Sequence, residues 1–144
     1  MIDNRREVYN GVEVLKRERS VLKDLESFCN RTKPFETMSS FNDEEGEVYV
    51  RDGRVRKLEF AVYKPEVPTP LPESLPELEA LEEFSLGNGY FLEFPMVLGD
   101  LPSLRRVYLS NCSIFSVPDE IGQMKGLEVL EIPQNKLKTL PEGI

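Results

Sequence analysis

A repeat with a period of 23 residues is the feature that most constrains the fold of this chain. Three segments, which begin at Leu81, Leu104 and Leu127, carry apolar residues at matching positions, and each apolar series is followed by a proline. A degenerate unit begins 26 residues before Leu81, at Val55. One unit cannot bury its apolar side alone, whereas stacked units bury a continuous core. The matching positions are Leu81, Phe84, Leu86, Phe91 and Phe94; Leu104, Val107, Leu109, Ile114 and Val117; and Leu127, Leu130, Ile132, Leu137 and Leu140.

Within each unit the central L-x-L pattern predicts a short strand, because successive side chains of a strand point to opposite faces. The proline that follows (Pro95, Pro118 or Pro141) prevents a long helix on the return path. We therefore expect an α/β architecture. It contains a curved parallel sheet on the concave side and irregular or 3₁₀ segments on the convex side.

The complete pattern, L-x-x-L-x-L-x-x-N/C-x-L-x-x-L-P-x-x-I, resembles that of the leucine-rich repeat family over residues 55–144. The resemblance implies a leucine-rich repeat solenoid that binds other proteins. The family usually carries an asparagine at the ninth position, where its amide bonds to the backbone of neighbouring turns. That position holds Gly89, Cys112 and Asn135 in this chain, and we expect a looser turn at Gly89 because it lacks a side chain.

The segment before the repeats contains apolar residues at helical spacing, which predicts an amphipathic helix between Asp3 and Asn30. The Asn10-Gly11 pair weakens its first turns and favours a start near Val12. We expect this helix to cover the open end of the repeat stack, since the terminal units of a solenoid need a cap. A partner-binding or dimerising helix is the alternative. The apolar stripe consists of Val8, Val12, Leu15, Leu22, Leu25 and Cys29.

An Asp52-Gly53 pair between two alternating segments predicts a β-hairpin, because both residues of its tight turn need positive φ. The expected strands are Glu47–Arg51 and Arg54–Phe60, and the second is also the first strand of the repeat sheet. The hairpin would thus cover the edge of that sheet. We predict one structural domain in which residues 1–54 form an N-terminal cap and residues 55–144 form the repeats, about four units with the last incomplete.

The composition excludes several functions. The chain has no histidine, two cysteines and a net charge of −8. It lacks the commonest general base and neutral metal ligand, so we expect no catalytic residue, no metal site and no cofactor. The acidic balance argues against nucleic acid or a membrane surface as a partner. We expect no disulfide framework and no secretory signal. The sequence has no apolar run of the roughly 18 residues that a membrane span needs, and we expect a cytoplasmic location.

Side chains between the inward pairs of each strand are expected on the concave face, where basic and acidic residues alternate from strand to strand. Opposite charges on strands about 4.8 Å apart stand side by side. This arrangement predicts a self-neutralising ladder or a recognition surface with aromatic anchors, and one surface can serve as both. We expect a non-enzymatic module that binds an unidentified partner protein. The expected partner-binding residues are Lys57, Glu59, Glu83, Ser85, Tyr90, Arg106, Tyr108 and Glu131.

The last repeat shows no C-terminal cap before Ile144, so we expect an open apolar edge and a homodimer formed through it. A self-assembling structural unit is therefore one alternative function. The resemblance implies another, the recognition domain of a larger repeat-containing enzyme of the ubiquitin-ligase or GTPase type, with its catalytic domain outside this chain. The residues expected along the open edge are Leu130, Ile132, Leu137 and Leu140.

Overall fold

A computed structural model describes residues 3–41, 46–63 and 65–142. Within these ranges the chain forms seven strands, one α-helix and three short 3₁₀ helices. The apolar position predicted at Ile144 lies outside the described residues. The strands are β1 (Arg6–Tyr9), β2 (Val12–Leu15), β3 (Val48–Arg51), β4 (Arg54–Ala61), β5 (Glu83–Gly87), β6 (Arg106–Ser110) and β7 (Val129–Glu131); the helix is α1 (Lys16–Phe28); the 3₁₀ helices are Leu75–Glu77, Met96–Asp100 and Asp119–Gln123.

The larger sheet contains β3 to β7 in chain order, with β3 antiparallel to β4 and the other pairs parallel. Glu83 pairs with Arg106 and Arg106 pairs with Val129, so these neighbouring strands are offset by 23 residues along the chain. Equivalent positions therefore stand side by side, and the paired Phe84 and Val107 are both fully buried. The residues between the buried positions lie on the opposite face, the predicted concave face.

On the other side of the core, the chain returns through the 3₁₀ helices. Pro95 and Pro118 stand directly before two of them. Proline fixes its own φ at about −65° and has no N–H, so the backbone turns tightly instead of continuing as an α-helix. Leu98 and Ile121, at equivalent positions of these two helices, are buried in the core. The parallel sheet and the short return segments together give an α/β repeat fold.

The hairpin of β3 and β4 confirms the prediction made from the Asp52-Gly53 turn. Asp52 has φ of 54° and Gly53 has φ of 75°, the sign that such a two-residue turn requires at both positions. Val48 pairs with Leu58 across the hairpin, and the register shifts by a bulge between Tyr49 and Val50. Because β3 pairs along β4, it covers that edge of the parallel sheet.

The prediction of one amphipathic helix beginning between Asp3 and Val12 is wrong. Residues 6–15 instead form an antiparallel hairpin, β1 and β2, and the helix begins only at Lys16. The reason is the Asn10-Gly11 pair, which adopts positive φ angles of 43° and 85° and closes a tight turn. Asn-Gly is among the strongest hairpin signals, and here it overrides the helical spacing of the flanking valines. Val8, expected on the apolar stripe, is mostly exposed.

Helix α1 packs its apolar side onto β1, β2 and the first 3₁₀ helix. Val21, Leu22 and Leu25 are buried in the common core. Glu18 is also fully buried, and its carboxylate accepts hydrogen bonds from Arg54 Nε at 2.8 Å and from Val55 N at 2.9 Å. This carboxylate therefore joins the helix to the start of β4. Among the described residues, no helix has both the length and the apolar character needed to cross a bilayer.

Burial decreases in the last repeat. Leu104, Val107 and Leu109 are buried, whereas Leu127, Leu130 and Ile132 at the equivalent positions are only half-buried. The largest contrast is between Val117, which is 6% exposed, and Leu140, which is 68% exposed. Of the residues expected along the open edge, Leu140 is mostly exposed. Leu130, Ile132 and Leu137 are half-buried and still pack against the core.

Candidate protein-interaction site

One row of charged side chains crosses the predicted concave face. Parallel pairing aligns Lys57 with Glu83 and Glu83 with Arg106. Lys57 Nζ lies 3.4 Å from Glu83 Oε1, and Arg106 Nε donates a 2.9 Å hydrogen bond to Glu83 Oε2. This hydrogen bond raises the pKa of the Arg106 guanidinium. One carboxylate thus lies between two cations, and it holds Arg106 in a fixed position.

Phe41 covers part of this row. Its ring centroid lies 5.4 Å from Lys57 Nζ and 5.5 Å from Arg106 Cζ, and Lys57 Nζ donates a 3.1 Å hydrogen bond to the Phe41 carbonyl. Tyr49 meets the Phe41 ring edge-on, with centroids 5.7 Å apart. Lys57 is only 8% exposed and the Glu83 side chain only 13% exposed. These two expected partner-binding residues are therefore largely covered by the chain itself.

A second row on the same face remains accessible. Pairing aligns Glu59 with Ser85, Ser85 with Tyr108, and Tyr108 with Glu131. Ser85 and Tyr108 are half-buried, while Glu59 and Glu131 are exposed. Partial burial raises the pKa of the Tyr108 hydroxyl, and the negative charges of the nearby carboxylates raise it further. Tyr108 therefore stays protonated at neutral pH and can donate a hydrogen bond at the centre of this row.

Opposite charges also pair at the amino-terminal ends of the strands, where Arg105 Nη1 lies 2.9 Å from Glu128 Oε1. Both side chains are more than half exposed, and such exposed pairs contribute only a few tenths of a kcal/mol to about 1 kcal/mol. The alternating charges thus form a ladder of ion pairs. The accessible Glu59 belongs to this ladder too, since its carboxylate lies 3.7 Å from Lys57 Nζ.

Tyr90 does not join the rows of the concave face. It follows the end of β5 and lines a cleft together with Phe28, Val67 and Thr69. The Thr69 N–H donates a 3.0 Å hydrogen bond to the Tyr90 carbonyl, which fixes this segment beside the loop after β5. Tyr90 therefore lies in the loop after β5 and not in the two rows, and its part in partner binding stays a prediction. Phe41 is the residue of the face that sequence reasoning missed, and no motif around it signals its position.

The ninth positions of the repeats behave differently from one another. The Asn135 amide oxygen accepts hydrogen bonds from Cys112 N at 2.9 Å and Ile114 N at 3.1 Å, and its amide nitrogen donates to three backbone carbonyls. A β-carbon on Gly89 would lie 2.8 Å from both Leu86 Cδ2 and Phe91 Cε2. The turn at Gly89 is therefore filled by neighbouring side chains rather than looser.

Neither cysteine has the environment of a reactive thiol. Cys29 and Cys112 are buried and not joined in a disulfide. Burial raises the pKa of the Cys29 thiol to about 12 and that of Cys112 to about 11, which disfavours the nucleophilic thiolate. Across residues 3–41, 46–63 and 65–142, no group of three His, Cys, Asp or Glu side chains could hold a metal ion.

Comparison with known proteins agrees with the repeat architecture. No family model matches the sequence, and no curated protein matches it. A solved structure does: the LRR ectodomain of the receptor kinase SOBIR1 from Arabidopsis thaliana. It aligns with a TM-score of 0.57 and 15% identity, over 86% of this chain and 70% of that one. The fold is leucine-rich-repeat-like.

The expectation of a cytoplasmic location is contradicted by this comparison, because the matching structure is the ectodomain of a receptor kinase. The start of a sequence and the number of its cysteines do not fix the location of a protein. At 15% identity the likeness shows the fold alone, so the cytoplasmic assignment is withdrawn and no other location takes its place.

Proposed function

We propose that this chain is a non-enzymatic protein-interaction module that binds a partner protein through the accessible part of its concave face. The observation that carries the proposal is the half-buried Tyr108, which lies in a row of otherwise small or acidic side chains. Arg106 lies two residues before it on the same face of β6. Tyrosine and arginine are the residue types most enriched among those that dominate binding energy at protein interfaces. The binding surface consists of Glu59, Ser85, Arg106, Tyr108 and Glu131.

The rigidity of this surface supports the proposal. Its side chains lie on paired strands, and the hydrogen bond to Glu83 fixes the Arg106 guanidinium before any partner arrives. A preformed surface loses little conformational entropy on binding, so more of the contact energy appears as affinity. Leucine-rich-repeat-like folds also suit extended contacts, because stacked units present one continuous face.

We also propose that the strands of this surface belong to a solenoid of 23-residue units. Residues 55–144 form its turns, and residues 1–54 cap its first end as part of the same domain. The buried Glu18, which bonds to both Arg54 and Val55, supports this role for the N-terminal segment. Helix α1 and the two hairpins would then shield the first layer of the core from water.

Affinity capture with matched variants tests the proposed function. Wild-type protein, Tyr108→Ala and Tyr63→Ala serve as baits, and captured proteins are quantified by mass spectrometry. Tyr63 is 71% exposed and lies outside the two rows, so it controls for the loss of a surface tyrosine. We expect a protein that wild type and Tyr63→Ala retain and that Tyr108→Ala binds about 30-fold more weakly, the effect of a hot-spot residue. If no captured protein distinguishes the two tyrosine variants, the proposal fails.

A second candidate function, self-association, is favoured by the open layer at β7. Leu140 is exposed and Leu127, Leu130 and Ile132 are half-buried, while β7 pairs only with β6 among the described strands. A homodimer through this layer would bury that row. Sedimentation equilibrium of wild type and Leu140→Glu tests it: dimerisation that weakens in the variant supports self-association, and a monomeric wild type at high concentration contradicts it.

A further inference from the structure

Phe41 contacts the charged row of Lys57, Glu83 and Arg106 through both its ring and its backbone carbonyl. Its ring stands within 5.5 Å of two cations, Lys57 and Arg106, and its carbonyl accepts a hydrogen bond from the Lys57 ammonium. A third contact comes from the edge of the Tyr49 ring. Cations within about 6 Å of an aromatic face are attracted to the ring. The row thus recognises two features of this residue, an aromatic side chain and its own backbone carbonyl.

Phe41 lies outside the strands of the sheet. Behind it, the chain is held by the hydrogen bond from Met38 N to the Val48 carbonyl, at 2.8 Å, and by a bridge between Thr37 and Val48. Phe41 itself belongs to no helix or strand and is half-buried. Its displacement would therefore break no strand pairing of the sheet at this residue.

Space for an incoming residue lies directly beside it. A cleft of about 390 Å³ is bounded by Phe41, Tyr49, Arg51, Arg56 and Arg106, with Glu82 and Asp52 at its sides. Three of these residues are arginines, and arginine stacks well on aromatic rings. Arg106 lines this cleft and also belongs to the proposed binding surface.

We propose that the concave face takes an aromatic side chain of its partner in the position that Phe41 now fills, so that partner binding displaces Phe41. This inference rests on the proposed function and specifies the chemistry of the partner. The incoming aromatic ring packs against Lys57 and Arg106 as the Phe41 ring does, and the backbone carbonyl of the same residue accepts the Lys57 hydrogen bond. Phe41 competes with the partner for these contacts and lowers its apparent affinity.

A small probe that carries only these two features tests the inference. N-acetyl-phenylalanine amide supplies the ring and the carbonyl, and N-acetyl-leucine amide is the matched control without a ring. Each is titrated into ¹⁵N-labelled wild type and Phe41→Ala, and binding is followed by the amide shifts of β4 to β6. We expect the phenylalanine probe to bind to Phe41→Ala about tenfold more tightly than it binds to wild type. On Phe41→Ala, it should also bind about tenfold more tightly than the leucine probe.

Phe41→Leu keeps the apolar bulk without the ring, and it replaces Phe41→Ala if circular dichroism shows that the alanine variant is unfolded. It should also bind the phenylalanine probe more tightly than wild type. Equal binding of both probes, or equal binding by wild type and the variants, overturns the inference. These outcomes leave the proposed function standing if a Tyr108-dependent partner is captured. Conversely, if no Tyr108-dependent partner is captured, the probe titration still tests independently whether the charged row binds an aromatic residue.

Discussion

The buried carboxylate of Glu18 offers the sharpest test of how the N-terminal segment is joined to the sheet. Its side chain is 0% exposed and accepts two hydrogen bonds, from Arg54 Nε and Val55 N. In Glu18→Gln one amide oxygen replaces two carboxylate oxygens, and the new NH₂ group faces a donor. Hydrogen bonds to charged groups contribute about 1.5–3 kcal/mol each. Arg54 stays partly hydrated, which reduces the loss, so we expect about 3 kcal/mol of destabilisation.

Urea unfolding followed by circular dichroism measures this change. With a slope of about 1–3 kcal/mol per M, a loss of about 3 kcal/mol lowers the midpoint by about 1–3 M. Glu79→Gln is the matched control, because Glu79 lies 3.8 Å from the same arginine but is 56% exposed. We expect the control to change stability by less than about 1 kcal/mol. If the two variants lose the same stability, Glu18 does not link α1 to β4 in the way described.

Three further predictions concern the repeats and the thiols. Asn135→Ala should cost about 2–3 kcal/mol in urea unfolding, because the Cys112 and Ile114 N–H groups lose their acceptor. Gly89→Ala should cost about 1–3 kcal/mol by the same assay, since its β-carbon would overlap two core side chains. Cys29 and Cys112 should not react with Ellman's reagent at pH 8 until urea unfolds the chain, because burial keeps both thiols protonated.

Each of these predictions has a contradicting outcome. Asn111→Gly is the control for Asn135→Ala: its exposed amide bonds to the Asn88 side chain, and glycine tolerates the φ of 52° at this position, so equal losses would refute the role given to Asn135. A Gly89→Ala variant as stable as wild type would show a turn with room for a side chain. Fast thiol reaction in the native state would contradict the burial of Cys29.

The thiol pKa values also set a stability dependence on pH. Because the pKa of Cys29 rises from 9.0 to about 12 on folding, the folded state holds its proton more tightly than the unfolded state. The corresponding stability is fully present below pH 9 and is lost as pH rises from 9.0 toward about 12. Alkaline unfolding of Cys29→Ala should therefore be less steep than that of wild type over this interval.

The sheet could be predicted from sequence because the 23-residue period of the repeat equals the spacing between paired residues of neighbouring strands. Glu83 and Arg106 are 23 residues apart in the chain and directly paired in the sheet. Residues at equivalent positions of two successive repeats are therefore neighbours in the sheet. The Asp52-Gly53 hairpin was predictable because its turn chemistry is local. The Asn10-Gly11 hairpin carried the same signal, but the flanking valines also fitted a helical spacing, and periodicity over so short a segment does not separate the two.

The contacts of Phe41 could not be predicted from sequence. The row that it covers joins Lys57 to Arg106 across three strands, and Phe41 reaches it from a segment without helix or strand. Nothing local in the sequence fixes the path of such a segment, because its position is set by tertiary contacts. The position of Tyr90 is likewise set by a tertiary contact, because the Thr69 N–H donates a hydrogen bond to its carbonyl in the loop after β5.

Site-specific photo-crosslinking tests the central claim, binding through the concave face, most directly. Benzoylphenylalanine replaces Ser85, which lies in the accessible row beside Tyr108, or Glu120, which is exposed on a 3₁₀ helix across the core. Irradiation after affinity capture should join the partner to the chain at position 85 and not at position 120. Crosslinking at position 120 alone, or equally at both positions, would contradict binding through the concave face.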